Sequence, residues 1–172
     1  YSVIQKHGGH IFVSSARKSG TRFEIYLPAS THAAHTKSGN AGDEPKGTGT
    51  ALIMDDEPLI LSVAEKMLVR MGFRVSTAKN GAEALEIFRK AHDAGTPFTL
   101  AVLDLTVPGG MGGKEAVRKM LDIDPSAKVL ASSGYSNDPA IEHFRDHGFS
   151  GVVEKPYRFD DLAKALRSAL EG

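Results

Sequence analysis

The sequence contains no cysteine, which excludes disulfide frameworks, thiolate metal sites and cysteine nucleophiles and fits a reducing, cytoplasmic setting. Long apolar runs are also missing. No stretch approaches the roughly 20 residues that a membrane span needs, and no charged start leads into an apolar region as a signal peptide would. A soluble piece without direct membrane contact is expected. The chain opens on Tyr1 rather than methionine, which leaves open a longer parent with membrane spans of its own. No charge of one sign dominates either: 21 basic side chains balance 21 acidic ones, 6 and 3 of them in residues 1–48 and 15 and 18 in the remainder. Without a basic surface, no nucleic-acid partner is expected.

What is present is ordinary globular material, 41% hydrophobic and 24% charged, which argues against wholesale disorder. A chain of 172 residues holds one domain of usual size and a part of another. Composition divides it into an opening segment at 1–30, a linker at 31–48 and a domain at 49–172. Between Ala29 and Gly49 large apolar residues are scarce, while Ser, Thr, Gly, Asn, Lys and His abound. Such a stretch buries too little surface to offset the entropy of ordering it. In the opening segment His10 to Ser14 and Arg22 to Leu27 read as strands joined through Lys18-Ser19-Gly20-Thr21, the second alternating Phe23, Ile25 and Leu27 on one face. A hairpin alone is marginal in water, so this segment makes no core of its own.

From residue 49 onward, short apolar strands alternate with amphipathic helices, the pattern of a parallel α/β sheet covered on both faces. Five strands fit, at Ala51 to Met54, Arg74 to Thr77, Leu100 to Leu103, Lys128 to Ser132 and Gly151 to Val153, with five helices between and after them. Pro58 suits a first helical position, Asn80 with Glu83 can cap the second helix, and Asp138-Pro139 opens the fourth. The first helix carries Leu59, Val63 and Met67 beside Ile60, Ala64 and Leu68, and the last carries Phe159, Leu162, Ala163, Leu166 and Leu170. This spacing predicts that both face the core.

In an open parallel sheet, ligands gather beyond the carboxyl ends of the strands. The polar residues stand there. Asp55 and Asp56 follow the first strand, Asp104 closes the third, Ser132 and Ser133 end the fourth, and Lys155 follows the fifth. Three carboxylates in one cleft repel one another unless a cation neutralises them. A hard divalent ion does so, and magnesium, with manganese as its substitute, takes carboxylate oxygens while leaving positions for phosphate oxygens. Lys155 adds a charge for a phosphoryl oxygen and a serine hydroxyl another donor. Asp104 is then available as a nucleophile that forms an aspartyl phosphate.

Residues 49–172 resemble the receiver domain of two-component signalling proteins, through M-D-D-E at 54–57, L-D-L-T-V-P-G-G-M-G-G at 103–113, S-S-G-Y-S at 132–136 and E-K-P-Y at 154–157. The resemblance implies a flavodoxin-like, doubly wound five-stranded parallel sheet with five helices. It implies Asp104 as phosphoacceptor, Asp55 and Asp56 as the acidic pair at Mg2+, and a backbone carbonyl of Thr106 as a further ligand. Ser133 matches the phosphate-sensing hydroxyl, Lys155 the family lysine, and Lys155-Pro156 a bond usually cis in the family. One position departs from the pattern. Val152 stands where receivers often carry an aromatic three residues before the lysine, which speaks against a tyrosine switch there; Phe149 is read as core.

The opening Y-S-V-I-Q-K-H-G-G-H-I and S-G-T-R-F-E-I-Y-L-P resemble the last helix and final hairpin of a histidine kinase ATP-binding domain, an incomplete fragment of it. The asparagine-bearing helix and glycine-rich motif that hold Mg-ATP do not occur, so no ATP binding is expected, and His7 and His10 are read as structural. Together the two resemblances imply the carboxyl end of a hybrid histidine kinase. Its partner would be the kinase core of the same parent chain or a histidine phosphotransfer protein, with a homodimer left open. As an enzyme the piece would do no more than accept the group and release it by self-dephosphorylation.

Three rival readings fit the residues less well. An aspartate-nucleophile phosphohydrolase needs a second aspartate two residues after the first, where Thr106 stands. A P-loop needs glycine at Pro108 and a hydroxyl residue at Glu115. A pseudo-receiver that only binds partners does not need the full acidic set.

Overall fold

The computed structural model describes residues 2–17, 20–29, 49–134 and 143–171. The chain divides into two units, Tyr1–Ala41 and Gly42–Gly172.

In the first unit a short helix α1 (Ser2–Lys6) precedes an antiparallel hairpin of β1 (His10–Ala16) and β2 (Gly20–Tyr26), in which His10 pairs with Tyr26 and Ala16 with Gly20. Phe12 and Tyr26 meet edge to face at 5.9 Å. The alternating Phe23, Ile25 and Leu27 are each more than half exposed, as are Phe12 and Val13. Lys18 and Ser19 of the expected turn and residues 31–48, expected as a linker, lie outside the described residues.

The second unit alternates strand and helix: β3 (Gly49–Met54), α2 (Pro58–Arg70), β4 (Phe73–Ala78), α3 (Gly81–Asp93), β5 (Leu100–Asp104), α4 (Gly113–Ile123), β6 (Val129–Ser133), β7 (Gly151–Glu154) and α5 (Phe159–Glu171). A 3-10 turn at Phe144–His147 precedes β7. The expected opening of a further helix at Asp138-Pro139 lies outside the described residues. The five strands are parallel in the order β4-β3-β5-β6-β7. The chain leaves β3 for β4 on one side and returns to β5 on the other, so the winding reverses between β3 and β5. A crevice opens at the carboxyl ends of strands at such a reversal.

Strand side chains alternate between faces, and the core divides accordingly. Ala51, Ile53, Val102 and Leu130 join one buried layer with Leu68 of α2 and Leu166 of α5. Leu52, Met54, Leu103 and Ala131 join the other with Phe88 of α3 and Met120 of α4. Both faces are covered, which is why the strands read as continuous apolar runs. Local chemistry sets the helix ends. Pro58 occupies the first turn of α2, and Asn80 Oδ1 accepts from the Glu83 N–H at 3.0 Å while Glu83 Oε2 accepts from the Lys79 N–H at 2.8 Å.

Two helix faces differ from the expectation. α2 buries Leu61, Ala64 and Leu68, while Leu59 is 73% exposed and Val63 37%. α5 buries Leu162, Ala163, Leu166 and Ala169 and leaves Leu170 at its edge. Almost every position from Leu59 to Ala64 is apolar, so periodicity alone does not choose a face there.

Glycine at the start of α4 lets the helix press against the strand that ends in Asp104. A Cβ on Gly113 would stand 2.6 Å from the Asp104 backbone oxygen. Alanine in a helix gains up to about 1 kcal/mol over glycine, but a clash with buried backbone outweighs that. Gly113→Ala should lower unfolding free energy by about 1–3 kcal/mol in urea titration; an increase would show that the carbonyl yields.

Candidate functional site

Three strand ends supply the site. Asp55 follows β3, Asp104 is the last residue of β5, and Lys155 follows β7. Parallel register brings them level: Met54 stands opposite Leu103, Asp104 opposite Ser132 and Ser133 opposite Glu154. The ladder continues past the strands and fixes the residues beyond. The Asp55 N–H donates to Ala78 O at 3.1 Å, the Leu105 N–H to Ser132 O at 2.9 Å, and the Lys155 N–H to Ser133 O at 2.9 Å.

Asp55, Asp56 and Asp104 each offer a carboxylate oxygen, and all three lie within 4.8 Å of one another. Asp55 is fully buried, Asp104 nearly so, and Asp56 is exposed at the rim. Asp55 Oδ1 accepts from the Glu57 N–H at 3.0 Å. The Lys155 ammonium lies 2.6 Å from Asp55 Oδ2 and 2.8 Å from Asp104 Oδ2. Its contact with Asp104 is a hydrogen bond, and its contact with Asp55 is a buried ion pair. Ser132 and Ser133 are both buried, and Thr106 is exposed with its N–H 3.4 Å from Asp104 Oδ1. Lys155-Pro156 is cis. Phe149 is buried in the layer of α3 and α4, against which Val152 also packs.

Residues 51–167 match the family model of the response regulator receiver domain. The chain belongs to that family. It is a receiver domain of two-component signalling, of the kind that also occurs in hybrid kinases. Relatives include the sensor kinase CckA of Brucella abortus (strain 2308), 28% identical over 180 residues, which cover 99% of this chain and 19% of that protein. The sensor histidine kinase AruS of Pseudomonas aeruginosa is 29% identical over 95% of this chain and 16% of its own length. The chain therefore spans under a fifth of either kinase. Sporulation initiation phosphotransferase F of Bacillus subtilis (strain 168) is 28% identical over 69% of this chain and 91% of its own. Among solved structures, a CheY-like receiver domain protein from Methanospirillum hungatei JF-1 superposes with a TM-score of 0.63 at 25% identity, covering 73% of this chain and 95% of that one.

The electrostatics of this receiver follow from unequal numbers. Burial pushes the Asp104 carboxyl above the usual carboxylate range, the Lys155 ammonium draws it back, and the Asp55 charge adds to the rise. For Lys155, burial acts downward, but its bonds to Asp104 and Asp55 and their charges prevail and hold the ammonium above its ordinary value. Three carboxylates converge where one ammonium contacts two of them, Asp55 and Asp104. Only hard oxygen ligands converge, which suits magnesium or manganese rather than softer metals.

One contact escaped the sequence reading. Ser132 Oγ and Tyr157 Oη lie 2.7 Å apart in a buried pair. A hydroxyl-bearing aromatic two residues after the lysine was the available signal, but its partner 25 residues away was not legible.

A carboxyl whose folded pKa is raised contributes stability below its ordinary pKa and loses it as pH climbs through the raised value. Ionised Asp104 therefore costs the metal-free fold stability at neutral pH. Asp104→Asn should raise unfolding free energy by on the order of 1 kcal/mol at pH 7, the advantage shrinking toward about pH 4. Denaturant titrations of both proteins across pH check this; an advantage that grew on acidification would contradict it.

Proposed function

We propose that this receiver accepts a phosphoryl group from a phosphohistidine onto Asp104 and changes conformation in response. The carrying observation is the cluster itself: three carboxylates within 4.8 Å, two of them sharing one ammonium. In the proposed transfer a carboxylate oxygen of Asp104 bonds to phosphorus as the P–N bond breaks, the electron pair returning to the imidazole. Asp55, Asp56, Asp104 and the Thr106 carbonyl would hold Mg2+, or Mn2+ in its place. Bound there, the ion supplies positive charge to the phosphoryl oxygens. Lys155 leaves its shared position to meet a phosphoryl oxygen, and Ser133 donates to another. The added group carries roughly two negative charges, which draws Ser133 and Lys155 inward and shifts the equilibrium of the elements behind them.

A phosphohydrolase reading is weaker, because Thr106 occupies the position of its second acid. The full acidic set favours a phosphorylated receiver over a pseudo-receiver.

The same reading extends to the parent protein. Residues 1–30 are proposed as the end of a histidine kinase ATP-binding domain, 31–48 as a linker and 49–172 as the receiver, in a hybrid kinase that acts in the cytoplasm. The kinase alignments support this, since CckA and AruS match 99% and 95% of the chain and thus run through the opening segment. The exposed Phe12, Val13, Phe23, Ile25 and Leu27 also suit a hairpin that packs on a larger body. Among the described residues no helix is long and apolar enough to cross a membrane. The phosphodonor is proposed to be the parent kinase core or a histidine phosphotransfer protein, docking beside the acids on the exposed Leu59 and Val63 of α2.

Incubation with acetyl phosphate and magnesium should add one phosphoryl group by intact mass, and a chelator or Asp104→Ala should abolish it. Uptake that survives Asp104→Ala sinks the assignment. Leu59→Glu should slow transfer from a phosphohistidine-bearing domain about tenfold and leave labelling by acetyl phosphate unchanged. Equal loss with both donors would place the defect in the site rather than in docking.

A further inference from the structure

Lys155 must sit within 3 Å of two carboxylates, yet it stands on a short loop beyond the edge strand β7. Ordinarily such a loop gives a long side chain freedom, so its anchors decide how well the ammonium is placed. Two contacts bracket it. On one side the Lys155 N–H donates to Ser133 O at 2.9 Å. On the other, Tyr157 reaches back to Ser132 Oγ at 2.7 Å. Adjacent residues of β6 thus grip the loop before and after the cis Lys155-Pro156 bond. Ser132 holds a third strand as well, because its carbonyl accepts from the Leu105 N–H, directly after Asp104.

The tyrosine is more than a surface clasp. Ser132 is fully buried and Tyr157 is 8% exposed. Ser132 lies two residues beyond Leu130, hence on the same sheet face, and the Tyr157 ring packs in that layer with Leu61, Leu162 and Leu166. The ring therefore belongs to the buried layer that also holds residues of α2 and α5. Burial pushes the phenol up to about 12, so the pair is two neutral hydroxyls that satisfy each other. At Val152, by contrast, a short side chain without a donor packs on the opposite layer.

We propose that the Ser132–Tyr157 hydroxyl pair is a positioning device for the phosphoacceptor site, clamping the loop that carries Lys155 onto the strand that ends in Ser133. Neither residue touches the transferred group. The pair acts through Lys155, and the inference rests on Asp104 being the phosphoacceptor.

Tyr157→Phe in the full chain removes one oxygen and leaves Ser132 Oγ without its partner. Ser132→Ala with Tyr157→Phe removes both hydroxyls and leaves an apolar contact, which restores packing without restoring the clamp. Labelling by acetyl phosphate in saturating magnesium should slow about five- to tenfold in Tyr157→Phe. The double variant should recover the denaturation midpoint and stay slow. Magnesium affinity, set by the carboxylates, should match the wild type in both. A single variant as fast as wild type, or a double variant that recovers both midpoint and rate, reduces the pair to packing and overturns the proposal. Should Tyr157→Phe fail to fold, Ser132→Ala replaces it with the same expected slowing. Wild-type labelling lost in Asp104→Ala upholds the underlying reading separately; a wild type that never labels overturns both.

Discussion

One ammonium shared between two buried carboxylates, with a third acid at the rim, is the interaction on which the rest of this receiver depends. It holds three strand ends together while leaving the site short of positive charge. Burial raises the cost of that shortage, because charge is poorly screened away from water. Buried ion pairs are often no more stable than apolar groups of the same volume. The arrangement persists because the sheet and its two helical layers hold the carboxylates in place, and it leaves the crevice receptive to a cation and to a group that Lys155 can follow.

Backbone register makes such convergence achievable. Parallel strands all end at one edge, and the β3/β5 reversal places Asp55 and Asp104 on neighbouring strands. Beyond the strands, hydrogen bonds to Ser132 O and Ser133 O carry the ladder one residue further, to Leu105 and Lys155. β6 thus supports both flanking loops. The proposed response to phosphorylation uses this connection, since a change at Asp104 or Lys155 reaches β6 through one backbone bond and the buried layer of α5 through the Tyr157 ring.

Much of this was legible in the residues. Apolar runs ending in Asp, Ser and Lys name the site because a parallel sheet sends every strand end to one side. Helix faces were less legible: from Leu59 to Ala64 the chain offers apolar side chains around most of the helix, and packing chose Leu61, Ala64 and Leu68 while leaving Leu59 outside. For the Ser132–Tyr157 contact the residues offered Tyr157 but not its partner, because the pairing depends on the path of a loop rather than on a period.

By itself the sequence determined the alternation of strands and helices, the acids and lysine at the strand ends and the family they resemble, since hydrophobic period and the succession of elements along the chain are written in successive residues. Tertiary structure alone decided which side of α2 is buried, that Lys155 divides itself between Asp55 and Asp104, and that a tyrosine closes on a serine 25 residues away. Those outcomes depend on distances between separate elements, which exist only once both layers have packed on the sheet.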